Sequence, residues 1–307
     1  MGLVPEPAPP AWDGRGLPPV AARRLERART SGVASSLLSA PAAAALGAVG
    51  FAPVGEVMGA VVQHLGWRGY GCGYSGFGSQ FQFAFGASTV TSGGRNRWAG
   101  LGPYVKALYH GWDTALWRLL AEATALGADG VVGVRLTRSR VDDGGNHEFL
   151  ALGTAIRGHG PVRADRPFAT HLPGTDLAKQ LTAGWVPTGI AFGISAAVRH
   201  DDYRTSVQAG SWNNTEVSGY TDLVAAVRHE ARAHFTDRAS RLGGESAVLD
   251  RMRLRVWEHE PAESHRDHYA EATVFGTAVT AFHRGATAPT TSLSILPLRG
   301  TSVKENR

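Results

Sequence analysis

The sequence predicts an α+β fold made of two tandem two-layer units, each a small antiparallel-rich sheet carrying one long helix. Three observations predict it. The chain repeats itself, each repeat holds one long stretch of helical periodicity, and short turns join the last two extended runs of each repeat as in hairpins.

The repeat can be followed residue by residue. Gly50-Phe51-x-Pro53-x-Gly55-x-x-x-Gly59 matches Gly184-Trp185-x-Pro187-x-Gly189-x-x-x-Gly193 at a displacement of 134. Tyr104, Leu126 and Gly127 match Tyr220, Leu242 and Gly243 at 116, and Glu148 and Gly153-Thr154-Ala155 match Glu271 and Gly276-Thr277-Ala278 at 123. The changing displacement locates the length changes: 18 extra residues in copy one between Gly59 and Tyr104, and 7 extra in the last turn of copy two. Insertions confined to connections are the mark of a duplicated domain.

Each copy opens with a short helical or irregular lead, about 36–48 and about 170–182. An extended run follows. In copy two Thr188, Ile190, Phe192 and Ile194 alternate with Gly189, Ala191, Gly193 and Ser195, and the period of two identifies a strand. Copy one keeps the small face as Gly55, Val57, Gly59 and Val61. Glycine weakens a strand unless something must approach its backbone. Either a helix or neighbouring subunit packs there, or a ligand lies flat on the sheet, so Gly55, Gly59, Gly189 and Gly193 are ligand or interface candidates.

The long helices come next. Val105, Leu108, Trp112, Leu116, Leu119, Ala123 and Leu126 recur at helical spacing, as do Val224, Val227, Ala231, Phe235, Ala239 and Leu242. In the second helix Arg228, Glu230, Arg232, Asp237, Arg238 and Arg241 form the wet side. Gly127 and Gly243 stand where a left-handed residue stops a helix. Two strands complete each unit: Gly130 to Arg138 and Glu148 to Ile156, then Ser246 to Glu258 and His268 to Phe282. A three-stranded sheet with one helix is thin, so each copy is expected to finish its core against another copy.

The organisation is therefore an N-terminal extension (1–35), repeat 1 (36–160) with a glycine- and aromatic-rich insertion (66–102), repeat 2 (168–283) and a flexible tail (284–307). With 307 residues, 43% hydrophobic and 19% charged, the chain has material for two cored domains. A single cysteine, Cys72, excludes an internal disulfide framework and argues for a reducing, cytoplasmic setting. The net charge of +5 is mild. Arg23, Arg24, Arg27 and Arg29 share one short helix candidate and read as a solvated face, so nucleic acid is not an expected partner. Thr30 to Gly55 is uncharged, but the matching part of copy two carries Asp176, Lys179 and Gln180 where copy one has Ala42, Ala45 and Leu46. An element that tolerates charge is not lipid-embedded, so no membrane association is expected.

The run Leu126-Gly127-Ala128-Asp129-Gly130-Val131-Val132-Gly133 after an amphipathic helix, followed by a strand with Gly153-Thr154-Ala155, resembles the YbjQ-like family, labelled as heavy-metal-binding. Copy one matches closely over about 45–157; copy two, over about 179–282, replaces Ala-Asp-Gly with Gly-Glu-Ser at 244–246. The resemblance implies a dodecin-like fold that assembles into closed rings, pentameric in single-domain members. It supplies no catalytic residues.

The label invites a ligand count. One thiol cannot build a paired-cysteine soft-metal site. Imidazoles are more plentiful: His259, His265 and His268 fall among Glu258, Glu260, Glu263 and Asp267, and His147 neighbours Asp142, Asp143 and Glu148 in the matching turn. His147, Glu148, His259, His265 and His268 are thus candidate ligands for Zn or another divalent cation, against the plainer reading of polar hairpin turns. His229 and His234, five apart, do not share a helix face. Asp129 and Glu245 are matched acids after a helix stop, an unfavourable place for negative charge that asks for a partner, either a turn hydrogen bond or an interface. In the insertion, Phe81, Phe83 and Phe85 alternate with polar or small residues near Cys72. That is a hairpin over the core, a subunit contact, or a ligand-binding flap.

Catalysis has no sequence support: there is no nucleophile elbow, phosphate loop or HExxH, and Cys72 has no assigned base. The expected function is a non-enzymatic, cytoplasmic, homo-oligomeric binding protein that takes a small molecule or a protein, with metal binding through the hairpin turns as the alternative.

Overall fold

The computed structural model describes residue 12 and residues 16–31, 35–65, 90–91, 101–262 and 265–282. Copy one runs α2 (Ala40–Ala48), β1 (Phe51–His64), α3 (Leu101–Ala125), β3 (Gly130–Arg140) and β4 (Asn146–Gly158); copy two runs α4 (Gly174–Thr182), β6 (Trp185–His200), α6 (Ser218–Arg241), β7 (Ser246–Ala262) and β8 (His265–Ala281). Around them lie α1 (Pro19–Ser31), β2 (Val90–Thr91), β5 (Phe168–Ala169) and α5 (Tyr203–Ala209).

Both copies build the same three-stranded core, to which a fourth short strand adds at opposite edges. The strand orders are β1-β4-β3-β5 and β2-β6-β8-β7, with the last strand of each copy central and antiparallel to both neighbours. Irregularities repeat as well: bulges between Pro53 and Gly55 and between Pro187 and Gly189, then between Val132 and Arg135 and between Leu249 and Arg251. A proline has no N–H for the ladder, so a bulge beside it is the economical solution. The helix stops match too. Gly127 and Gly243 have φ of 66° and 77°, and the following N–H groups of Ala128 and Gly244 reach back to Ala123 O and Ala239 O. Arg157 adds a C-terminal cap in copy one, donating to Leu126 O and, at 2.7 Å, to Gly127 O.

The copies are layered: first sheet, α3, second sheet, α6. Helix α3 packs on β1 and β4 with one side and on β6 and β8 with the other, and a single apolar cluster joins Leu108, Trp112 and Leu119 to Phe149, Phe192 and Phe275. Trp112 meets Phe149 and Phe275 edge-to-face at 5.0 and 5.2 Å, each worth about 0.5–1.5 kcal/mol beyond burial. The second sheet is covered on both faces, which is why β6 is buried along nearly its whole length while β1 alternates. The thin units thus complete each other within one chain.

Two short strands cross between the copies. β2, from the insertion of copy one, pairs with β6, and β5, at the start of copy two, runs parallel to β3. The matched leads α2 and α4 pack on the outer face of the first sheet, where Leu46 and Leu177 meet Val132 and Ile156.

Candidate functional site

The glycine positions are met first by the chain's own helices. A Cβ on Gly59 would lie 1.9 Å from Ala115 O, and one on Gly193 would lie 2.0 Å from Ala231 O, so α3 and α6 touch bare strand backbone. Gly55 and Gly189, four residues earlier, lie beside Leu126 and Leu242. Of the readings the residues left open, a helix on the small face is what the geometry presents.

Asp129 is buried and fully used. Its Oδ2 accepts from Gly158 N at 2.7 Å and from Arg163 at 3.0 Å, and its Oδ1 accepts from Ala164 N at 3.3 Å. It therefore organises the connection leading into β5. Its match Glu245 is exposed and lines a cavity of about 460 Å³ between α6 and β7 with Arg232, Phe235 and Ser240.

The histidines do not gather as expected from turns. β7 and β8 run past the expected ends, so His259, His265 and His268 sit in strands. His268 stands opposite Glu258 and His259 opposite Asp267, and strand alternation sends neighbouring pairs to opposite faces. The consecutive His147 and Glu148 are divided in the same way. Among the described residues no three His, Cys, Asp or Glu side chains come together to hold a metal ion. Cys72, Phe81, Phe83 and Phe85 lie outside the described residues, as do most of the insertion and the tail after Phe282. The wet side expected of α6 is also only partly wet. Arg238 lies 3.9 Å over the Phe192 ring and pairs with Asp113 of α3, and Glu230 bonds the buried Ser195.

The titratable groups collect instead along the seam between the two sheets and at one end of the second. In the seam Arg138 of β3 grips Glu271 of β8 with both guanidinium nitrogens, at 2.9 and 3.3 Å, and Tyr104 donates to the same carboxylate. Burial and the Glu271 charge push the Tyr104 hydroxyl well above its ordinary range. Close by, Arg251 donates to Leu136 O on the edge of β3, and the Tyr109 hydroxyl accepts from Ile194 N. At the end of the second sheet His268 Nε2 lies 2.7 Å from the Tyr220 hydroxyl and 3.0 Å from Asp201, while His200 bonds Asp267 at 2.7 Å. Burial and Asp201 hold Tyr220 up to about 12. Sequence reasoning registered Tyr104, Tyr220 and Glu271 only as repeat positions; the partners that give them roles are 19 to 167 residues away.

A further matched pair guards the strand edges. Arg118 and His234, equivalent in the two helices, donate to the equivalent carbonyls Ala60 O and Ile194 O. Beside the first, Glu122 accepts from Met58 N at 2.8 Å and pairs with Arg24 of α1.

His171 joins the seam through Nδ1, 2.7 Å from Thr277 Oγ1. Burial lowers its proton affinity, with Asp250 opposing and Arg251 assisting. His147 is lowered likewise by burial and then by Arg138, Arg255 and Arg140. A depressed folded value means that the unfolded chain takes the proton first. The associated stability is present above the ordinary 6.5 and is lost as pH falls through the depressed values. The melting temperature is expected to fall below about pH 6.5, and His171→Asn should flatten that slope in a thermal denaturation series.

No helix among the described residues is long and apolar enough to cross a membrane. A family described as "Putative heavy-metal-binding" matches residues 85–159. The encapsulin nanocompartment protein Rv1762c of Mycobacterium tuberculosis is 34% identical over 242 residues, covering 76% of this chain and 81% of that protein. UPF0145 proteins of Halorubrum lacusprofundi (46% over 69 residues, 22% of this chain and 65% of theirs) and Psychromonas ingrahamii (44% over 54 residues, 18% and 50%) match part of it. No solved structure matches. Two sheets of one topology, the shared helix-stop motif and a relative aligned across both copies lead to one conclusion: the chain belongs to the YbjQ-like family, as a member with two tandem units.

Proposed function

We propose that this chain is a non-enzymatic, self-assembling cytoplasmic binding protein that takes part in a protein nanocompartment. The observation that carries this reading is the similarity to the mycobacterial nanocompartment protein, which runs through both units rather than one. The fold adds support. Among the described residues β7 pairs with β8 alone, and a sheet edge with one free side is the arrangement that edge-to-edge assembly uses. Two buried acids support a binding rather than a catalytic role, because Asp129 beside the connection and Glu271 in the seam are already held by several donors apiece.

The test is size. Tagged chain in a native cell lysate should sediment with a nanocompartment-sized particle, and purified chain alone should give a discrete oligomer by native mass spectrometry. A monomer in both experiments would sink the proposal. The metal reading rests on the family's description, and elemental analysis of the same purified oligomer decides it: less than about one metal per chain removes it.

A further inference from the structure

We propose that the surface where the β3–β4 hairpin meets β7 binds a small multivalent oxyanion through Arg140, Arg255 and His147. This deepens the binding reading above by naming a ligand class, and its readout is independent of particle size.

The placement comes from register. Arg140 stands opposite His147 across β3 and β4, and Arg255 stands opposite Glu271 across β7 and β8. Arg138, two residues from Arg140 and on the same face, reaches across the seam to Glu271 and so draws the two pairs together. The result is three guanidiniums and an imidazole around one buried carboxylate. Both oxygens of that carboxylate already accept from Arg138, and one also accepts from Tyr104.

The remaining cations are held but not neutralised. Arg255 is exposed, lies 5.2 Å over the Trp257 ring and has no carboxylate within 4 Å among the described residues. Trp257 is itself stacked on Tyr269 at 5.6 Å, which gives the cation a rigid base. Arg140 donates to the carbonyls of Asp142 and Asp143 at 2.9 and 3.3 Å. Its ion pair with Asp143 is 3.5 Å long and ends on a fully exposed carboxylate, a contact worth little. Guanidiniums with free N–H groups match an oxyanion two bonds at a time.

Calorimetry with sodium pyrophosphate and with sodium succinate, at fixed ionic strength, tests this on the full chain. Heat from either anion is expected; pyrophosphate alone identifies a phosphoryl-bearing ligand, and succinate alone a carboxylate-bearing one. The pair Arg140→Ala with Arg255→Ala should weaken binding at least about tenfold, while Arg241→Ala, an exposed arginine on α6, should stay within about twofold. The proposal is overturned if neither anion binds, if the double variant binds like the native protein, or if Arg241→Ala loses as much. Nanocompartment-sized particles without anion heat would defeat this inference alone.

Discussion

Gly59→Ala and Gly193→Ala are each expected to destabilise the protein by at least about 3 kcal/mol, at the upper end of what overpacking costs. A methyl at either position would sit 1.9–2.0 Å from a helix carbonyl oxygen and within 2.5 Å of a backbone nitrogen, Leu119 N or Phe235 N. Backbone cannot swing aside as a side chain can, so the helix must lift off the sheet. For Gly59 that helix is α3, which also supports the second sheet through Trp112 and Tyr109, so the damage reaches both units. Gly193→Ala displaces α6, which covers one face only. Urea denaturation should therefore report Gly59→Ala as the more severe of the two. Gly47→Ala is the control: it lies in α2 with nothing within 4 Å of an added Cβ, and should stabilise by up to about 1 kcal/mol. If Gly59→Ala and Gly47→Ala gave the same midpoint, close helix–strand contact could not be what glycine is there for.

Arg138→Met is expected to cost about 3–5 kcal/mol, because it leaves the Glu271 charge buried with, among the described residues, only Tyr104 as donor. Adding Glu271→Leu should restore much of the loss, since an apolar pair of similar size needs no compensation. The interaction across that double-mutant cycle should be at least about 2 kcal/mol by chemical denaturation. Additive losses would instead place the role of Arg138 in the packing of its stem.

Much of the architecture is legible in the residues. The alternation in β6, the apolar spacing in α3 and α6, and the stops at Gly127 and Gly243 are local signals, each spanning a few residues. The repeat then states that both copies do the same thing, and the three main strands of each have the same order, β1-β4-β3 and β6-β8-β7. Less of the candidate site is legible. His259 and His268 look like one cluster in sequence, but the hairpin continues as strand beyond the place where turn residues suggested an end, and a period of two separates them. Arg238 and Glu230 look like wet-face charges, yet α3 and β6 claim them. Arg138, Arg255 and His147 carry no mutual spacing at all; hydrogen-bond register and the meeting of two sheets bring them together.

Sequence alone determined that one α+β module is written twice, that its small-residue strand face sits at matched positions, and that no familiar catalytic motif is present. These are properties of neighbours along the chain, carried by backbone geometry and hydrophobic period. Only the tertiary structure decided that α3 is sandwiched between both sheets, that β2 and β5 cross from one unit to the other, and that a guanidinium-rich seam lies where the units meet. Those outcomes depend on which buried faces find each other, a choice set by packing between elements far apart in sequence.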